Sequence, residues 1–161
     1  MNTIYIMRHG IAEEPNLMKP DSERVLTEEG KKNIHLIGKK FRSIGMKPSI
    51  VISSPYARAV QTADIMVEEL GFTGDRHQDN RITPSGRYES FAAMFQEFKS
   101  FREILVVSHD PCVSFLTANL CGAGTMNIDF KTGAIACIGI GRQSPPVGSL
   151  LWYAPPTLTL I

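Results

Sequence analysis

The sequence carries no excess of charge of either sign. Its 161 residues include 17 Lys and Arg against 16 Asp and Glu, which leaves a formal net charge of +1. Such a balance produces no long-range field that would attract a nucleic-acid backbone or an anionic membrane surface. We therefore expect no nucleic acid and no membrane among the partners. Any function that depends on positive charge must use a local cluster of basic residues.

Long hydrophobic runs are also missing. The first apolar stretch, residues 4–7, is followed at once by Arg8 and His9, so it lacks the apolar core of a signal peptide. No later run approaches the roughly 20 apolar residues that span a bilayer. These absences predict a cytoplasmic protein.

Cysteine is scarce and shows no spacing typical of ligands. Cys112, Cys121 and Cys137 are odd in number, lack a CxxC pair and lie among apolar neighbours. This pattern argues against a disulfide framework and a zinc site, and it predicts core positions for all three side chains. No GxGxxG turn follows the first apolar stretch, which argues against a dinucleotide-binding domain. We expect neither a metal nor a cofactor.

What the sequence does contain is an alternation of apolar strands with amphipathic helices. Buried strands are predicted at residues 3–7, 49–53 and 103–108. The segment that follows each strand along the chain contains apolar residues that recur every three or four positions, as in an amphipathic helix. This order indicates an α/β protein with a mainly parallel sheet covered by helices on both faces. Length and composition predict a single domain over residues 1–161.

Two regions are less regular. Residues 134–140 and 149–153 are predicted to form a final antiparallel hairpin. The stretch before the third helix has the weakest pattern, and we expect one short strand there, at residues 81–83.

Helix starts are indicated by capping residues. Thr27 is expected to cap the first helix. Ser54 is expected to cap the second, with Pro55 in its first turn. Asp110 and Pro111 are expected to open the helix after the strand at 103–108.

Polar side chains follow three of the predicted strands, at the edge where ligands of open α/β sheets bind. They are Arg8 and His9, with Gly10 next to them, after the first strand, Ser54 and Arg58 after the second, and His109 and Asp110 after the third. Two imidazoles and two guanidiniums are therefore expected to converge on one edge of the sheet.

This set of side chains suits a phosphoryl group. Arginine offers a planar fork of donors to phosphate oxygens, and imidazole is a nucleophile that can hold a phosphoryl group covalently. A glycine at position 10 lets the backbone approach an anion closely. Each group alone has a structural alternative: a surface charge cluster, a hydrogen-bonded histidine or a helix cap. Their recurrence at three strand ends favours a functional site.

The motifs also resemble those of a known family. The chain contains IMRHG at 6–10, LT at 26–27, SSPYARAVQT at 53–62 and VSH at 107–109. In this order they resemble the histidine phosphatase (phosphoglycerate mutase-like) superfamily and, within it, the SixA-type phosphohistidine phosphatases. The resemblance extends over residues 4 to about 138. The combination is far more specific than any one motif.

The resemblance implies a fold and a set of roles. The expected fold is a phosphoglycerate mutase-like three-layer α/β/α sandwich. His9 is expected to be the nucleophile, and Arg8, Arg58 and His109 are expected to bind the phosphoryl oxygens beside Gly10. The family needs no metal.

Two departures from the superfamily pattern affect the expected chemistry. Ile11 stands where many members have Glu or Asp directly after RHG. The general acid is also hard to place: other members use a Glu in the middle of the chain, and here the region near residues 83–86 offers only Glu89. Asp110, after His109, resembles the HD dipeptide of the acid phosphatase branch and is a possible general acid. Its alternative role is the N-cap of the following helix, which we favour.

These observations predict a phosphohistidine phosphatase that acts on a signalling or phosphotransfer protein through a covalent phosphohistidine intermediate. Phosphohistidine has a leaving nitrogen that solvent can protonate near neutral pH, whereas an alkyl phosphate needs a proton donor. The chain is also too short for large insertions over the site. A small-molecule phosphomonoester phosphatase and a non-catalytic phosphate-binding module remain the alternatives. We expect a monomer.

Overall fold

The strands of the protein form one mixed sheet. The computed structural model describes residues 2–160. Its six strands are β1 (Asn2–Arg8), β2 (Ile50–Ser53), β3 (Asp75–Gln78), β4 (Glu103–Ser108), β5 (Ile135–Gln143) and β6 (Pro146–Ala154). Their order across the sheet is β3-β2-β4-β1-β5-β6. Strands β1 to β4 are mutually parallel, and β5 runs antiparallel to both of its neighbours.

Helices cover both faces of this sheet. They are α1 (Glu28–Ser43), α2 (Ala57–Leu70), α3 (Tyr88–Phe98), α4 (Cys112–Gly122) and the short α5 (Pro156–Thr159). Two 3₁₀ turns, Asp21–Glu23 and Asn80–Ile82, lie in the connections. The predicted α/β architecture, with a mostly parallel sheet between helices, is confirmed.

Two apolar cores hold the layers together, one on each face. Helices α1 and α2 pack on one face, and α3 and α4 pack on the other. The large side chains they bury include Ile34, Ile37, Phe41 and Met66 on the first face and Phe91, Phe95, Leu116 and Leu120 on the second. Each contributes about 1.5–3 kcal/mol when fully buried, so the sheet is a firm support for the residues at its edge.

The start of α1 is as predicted. The Thr27 hydroxyl accepts a hydrogen bond from the Gly30 N–H at 3.0 Å and so caps the helix. Gly30 has a second role, because a Cβ at this position would lie 2.0 Å from the Ile11 carbonyl oxygen. Helix α1 is thereby held against the loop that follows β1.

The start of α2 differs from the prediction. The helix begins at Ala57 with Tyr56 in the N-cap position, so Ser54 is not the cap and Pro55 is not in the first turn. The reason is that Ser54 continues the sheet: its N–H donates to the Val107 carbonyl at 2.9 Å. Its backbone therefore stays extended beyond the last residue of β2, and its hydroxyl is left to bind another side chain.

The strand predicted at 81–83 is also wrong. Residues Asn80–Ile82 form a 3₁₀ turn, in which the Asp79 carboxylate accepts from the Arg81 N–H at 2.8 Å. The strand of this region is β3, at the edge of the sheet, and all four of its side chains are exposed. Its sequence has no alternation of apolar and polar residues that would predict a strand. The strand forms because its backbone pairs with β2.

The predicted cap of α4 is wrong as well. Helix α4 begins at Cys112 with Pro111 in the N-cap position and no side-chain cap. The Val113 N–H donates to the His109 carbonyl at 2.8 Å, so a backbone group serves this turn. Asp110 is exposed, and its carboxylate accepts instead from the Ser114 hydroxyl at 2.5 Å.

The predicted terminal hairpin is confirmed, since β5 and β6 pair antiparallel and are longer than expected. Cys112 and Cys137 are buried as predicted, and Cys121 is partly buried against the same core as Cys112. Within residues 2–160, no helix combines the length and the apolar character needed to cross a bilayer.

Candidate active site

Two histidines meet where two parallel strands end. Strands β1 and β4 pair with Arg8 opposite Ser108, so the next residues, His9 and His109, leave the sheet side by side. The His9 N–H donates to the Ser108 carbonyl at 2.9 Å, and the ring centroids of the two histidines are 5.1 Å apart. Sheet pairing therefore brings together imidazoles that lie 100 positions apart in the sequence.

The ring of His9 is held in one orientation. Its Nδ1 lies 2.7 Å from the Gly10 carbonyl oxygen, which can only accept, so Nδ1 carries the proton. Its Nε2 then has a free lone pair and accepts from Arg58 Nε at 3.1 Å. His9 is only 7% exposed. Burial lowers its pKa to about 4, opposed by the hydrogen bond to Gly10 and assisted by the positive charges of Arg58 and Arg8.

The pKa of His9 decides its chemistry. At neutral pH the ring is neutral, and Nε2 is an unprotonated nitrogen in a strongly positive environment. That is the state required of a nucleophile that attacks phosphorus.

Arg58 lies in the first turn of α2 and is almost completely buried. While its Nε donates to His9, its Nη1 donates to the Asp21 carbonyl at 2.7 Å and its Nη2 to Asp21 Oδ2 at 3.0 Å. The guanidinium also lies over the Tyr56 ring, 5.3 Å from its centroid. Every nitrogen of Arg58 is therefore engaged, and the plane of the group is defined.

His109 is packed between two rings. It lies 5.1 Å from His9 and 5.1 Å from Tyr56, in edge-to-face geometry with both. Its Nε2 is 2.7 Å from the Ser54 hydroxyl, which also accepts a hydrogen bond from the Tyr56 N–H at 3.3 Å. Burial, with the proximity of His9 and Arg58, lowers the pKa of His109 to about 2. The ring is thus neutral in the free protein, and a bound anion would favour its protonation.

Arg8 approaches the site from the end of β1. Its Nη1 donates to the Phe130 carbonyl at 2.6 Å, while its Nε is buried without a partner. His109 Nδ1 is likewise buried without a partner in the part of the chain that the structure describes. Buried polar atoms are normally paired. An oxyanion bound here would supply the acceptor that the Arg8 N–H lacks, and it would pair with His109 Nδ1 when that nitrogen carries a proton.

Gly10 is constrained by close packing against α1. A Cβ at this position would lie 2.8 Å from Ile34 Cγ1 in α1, and the Gly10 N–H donates to the Thr62 hydroxyl at 3.1 Å. Thr62 in turn donates to the Arg58 carbonyl at 2.7 Å. The loop after His9 is therefore tied to both helices on this face. The expected contact of Gly10 with an anion stays a prediction.

Sequence reasoning missed two charged residues at the site, Asp21 and Arg24. Asp21 accepts from Arg58 as described, and its Oδ1 accepts from Arg24 Nη1 at 2.5 Å. Burial raises the pKa of Asp21, but hydrogen bonds from Arg58 and Arg24 outweigh it, so the pKa is lowered overall. Both residues lie in the long connection between β1 and α1. Its length was the only available signal, because long ordered loops are often functional.

The two carboxylates considered as general acids lie apart from these contacts. Asp110 and Glu89 are both exposed, and neither forms a hydrogen bond with His9, His109 or Arg58 in the described part of the chain. Across residues 2–160 there is also no group of His, Cys, Asp or Glu side chains arranged to hold a metal ion.

Comparison with known proteins identifies the class to which this site belongs. The model of the histidine phosphatase superfamily (branch 1) matches residues 4–83, the part of the chain that supplies His9 and Arg58. The chain belongs to the histidine phosphatase superfamily, as the motifs indicated, and it is a phosphatase of that superfamily.

The particular relatives are more informative about the whole chain. It is 29% identical over 155 residues to the phosphohistidine phosphatase SixA of Escherichia coli K-12, covering 95% of this chain and 93% of the relative. The structure of the protein histidine phosphatase SixA complexed with tungstate superposes with a TM-score of 0.87 at 29% identity, covering 96% and 97% of the two chains. The α-ribazole phosphatase of Shigella flexneri, at 17% identity and a TM-score of 0.73, covers 92% of this chain and 94% of its own, and shares the fold. The predicted SixA-type, phosphoglycerate mutase-like fold is confirmed.

Proposed function

We propose that the protein hydrolyses phosphohistidine on a protein substrate, with His9 as the nucleophile. The observation that carries this proposal is the state of the His9 ring. Its Nδ1 proton is committed to the Gly10 carbonyl, so Nε2 presents a lone pair next to Arg58.

The reaction has two steps. In the first, Nε2 of His9 attacks phosphorus in line, the bond from phosphorus to the substrate nitrogen breaks, and that nitrogen takes up a proton. Arg58 Nε then donates to a phosphoryl oxygen instead of to Nε2. In the second, water attacks the phosphohistidine of the enzyme, which releases inorganic phosphate and restores neutral His9. Arg8, Arg58 and His109 stabilise charge on the equatorial oxygens in both steps.

The ionisation state of the carboxylate at the site favours phosphohistidine over an alkyl phosphate as the substrate. An alkyl phosphate needs a protonated acid to neutralise its leaving alkoxide, an effect of about 10² to 10⁴ in rate. The carboxylate that contacts the site arginines is Asp21, and its lowered pKa keeps it ionised at neutral pH. Phosphohistidine needs no such donor, because free imidazole has a pKa of about 6.5 and takes its proton from solvent.

The surroundings of the site favour a substrate presented by a protein. The loop that carries Asp21 also carries Leu17 and Met18, and both side chains are fully exposed to solvent. These exposed apolar side chains, on the loop whose Asp21 binds Arg58, offer a surface that a protein substrate could contact. The relative of similar length, SixA, is itself named a phosphohistidine phosphatase.

Trapping the intermediate tests the nucleophile. Wild-type protein incubated with a ³²P-labelled phosphohistidine-bearing phosphotransfer protein and quenched rapidly in alkali should carry an alkali-stable, acid-labile label. His9→Ala should carry none. His77→Ala, which removes an exposed histidine of β3, is the control and should be labelled like wild type. A label that persists in His9→Ala would refute the assignment.

A comparison of substrates tests the substrate class. We expect a higher kcat/KM for the phosphohistidine protein than for an alkyl phosphate. Asp110→Asn should leave both rates unchanged, because the Asp110 carboxylate bonds to Ser114 and forms no hydrogen bond with either His9 or His109 in the described part of the chain. A preference for the alkyl phosphate that is lost in Asp110→Asn would instead support the small-molecule phosphatase and make Asp110 its general acid.

A further inference from the structure

Asp21 is the acidic residue that binds the arginines at the edge of the site. Its backbone carbonyl and its carboxylate accept from two different nitrogens of Arg58, at 2.7 and 3.0 Å. The other carboxylate oxygen accepts from Arg24 at 2.5 Å. Arg24 is fixed in turn by a bond from its Nε to the Glu13 carbonyl at 2.7 Å. A single aspartate thus joins two guanidiniums at the edge of the site.

The pattern of bonds on Arg58 shows what Asp21 does to it. A guanidinium is planar and has five N–H donors. Asp21 occupies donors on Nη1 and Nη2, the outer end of the group, while Nε on the inner side faces His9. Because the group is rigid, contacts at the outer end determine where the inner donors point.

Burial distinguishes the two partners. The side chain of Arg58 is 5% exposed, whereas that of Asp21 is 50% exposed. Asp21 therefore approaches Arg58 from the solvent side, opposite His9. It forms no hydrogen bond with the His9 ring, and its acceptors bind Nη1 and Nη2 of Arg58 and leave Nε, the nitrogen next to His9, to the histidine.

We propose that Asp21 is a positioning residue that holds the guanidinium of Arg58 from its outer end, so that its inner donors are aligned with the phosphoryl group transferred to His9. This role rests on the proposed function of the site. It also explains why a negative charge lies beside an anion-binding site, where repulsion alone would exclude it. The negative charge of Asp21 weakens the attraction of the site for an anionic substrate, while its hydrogen bonds orient Arg58 for the transition state.

The positioning role predicts that loss of the Asp21 charge slows catalysis without weakening the binding of phosphate. In Asp21→Asn the amide keeps the shape of the side chain and the backbone acceptor, but the charged bonds to Arg58 and Arg24 are lost. Alignment matters most in the transition state, so we expect kcat for free phosphohistidine to fall about tenfold. Inorganic phosphate, which is repelled by Asp21, should inhibit at an equal or lower concentration. General damage to the site would weaken phosphate binding as well.

The matched control is Glu23→Gln. Glu23 lies in the same 3₁₀ turn and is exposed, and the substitution removes the same charge, but its side chain forms no hydrogen bond or ion pair with Arg58 in the described part of the chain. It should leave both kcat and phosphate inhibition unchanged. A double-mutant cycle then tests whether Asp21 acts through Arg58: in an Arg58→Ala background, Asp21→Asn should change kcat less than twofold.

An NMR measurement keeps the inference testable without turnover. The Nε–H of Arg58, assigned by its loss in Arg58→Lys, should exchange slowly with water in the wild type and at least tenfold faster in Asp21→Asn. Unchanged exchange, or an unchanged kcat in an active enzyme, would overturn the inference about Asp21 alone. Failure of the wild type to release phosphate from phosphohistidine would instead overturn the proposed function, and the exchange rates would still decide the role of Asp21.

Discussion

Two regions contribute to the same site by different physical means. One is the strand-end region, formed by His9 and His109 directly after β1 and β4, and the other is the β1–α1 loop, residues 12–26. His9 and His109 are buried and are placed by sheet pairing between β1 and β4. The loop is closed by one isolated bridge between Ala12 and Leu26, and its side chains interact through polar contacts at the surface. Residues of the first region are tied to the stability of the fold, whereas residues of the loop can adjust the site with little effect on it.

Glu13 shows how the loop is held without an apolar core. Its carboxylate accepts from Lys19 Nζ at 2.7 Å and from the Val25 N–H at 3.1 Å, and its carbonyl accepts from Arg24. Exposed ion pairs are typically worth about 0–1 kcal/mol each. A loop supported in this way is ordered by several weak contacts, and loss of any one of them leaves the two apolar cores intact.

The largest effect is expected where the two regions meet, at Arg58. Arg58→Lys should lower kcat/KM nearly as much as Arg58→Ala, because lysine keeps the charge but lacks the planar fork that bonds His9 and Asp21. Loss of charge-assisted bonds worth about 1.5–3 kcal/mol predicts a decrease of roughly 10- to 150-fold. Steady-state kinetics with a phosphohistidine protein measures it. Arg42→Lys, at the far end of α1, should behave like wild type, and near-normal turnover by Arg58→Lys would contradict the role of the fork.

A second effect should distinguish the regions by the pH dependence of stability. Burial lowers the pKa of His9 to about 4, below its unfolded value of about 6.5. Between these values the unfolded chain binds more protons, so the free energy of unfolding decreases as the pH is lowered. We expect the protein to be about 2 kcal/mol less stable at pH 5 than at pH 7 on account of this histidine.

Urea unfolding at the two pH values measures this difference. It should shrink in His9→Gln and persist in His77→Gln, since His77 is exposed on β3. Asp21 and the loop should contribute little over the same range, because the lowered pKa of Asp21 keeps it ionised. An equal pH dependence in wild type and His9→Gln would show that the ring is not held neutral by burial.

The smallest effect on stability is expected at the tip of the loop. The double variant Leu17→Ser/Met18→Ser removes two exposed side chains, so the free energy of unfolding should change by less than about 0.5 kcal/mol. We expect kcat/KM for a phosphohistidine protein to fall several-fold, while that for free phosphohistidine is unchanged. Leu36→Ser/Ile44→Ser, which removes one exposed apolar residue from α1 and another from its C-cap position, is the control. Equal losses on both substrates would argue against protein contact at the loop.

The predictions from sequence succeeded where one local rule controls the structure. The apolar run Glu103–Ser108 is a buried strand as predicted, and Thr27 caps α1. They failed where a distant partner overrides the local signal. Ser54 has the sequence of a helix cap, but pairing with Val107 keeps it in the sheet. The polar strand β3 exists because of its neighbour β2 and has no pattern of its own.

The fold class could be predicted from the sequence, and so could the convergence of Arg8, His9, Arg58 and His109 on one edge, because parallel buried strands place their carboxyl ends together. The protonation and hydrogen bonding of those side chains depend on the folded chain. The proton on His9 Nδ1, the lowered pKa of both histidines and the support of Arg58 by Asp21 depend on burial and on contacts between residues up to 100 positions apart. Such contacts have no periodicity in the sequence, since they are made by single side chains across a loop, and so only the folded chain reveals them.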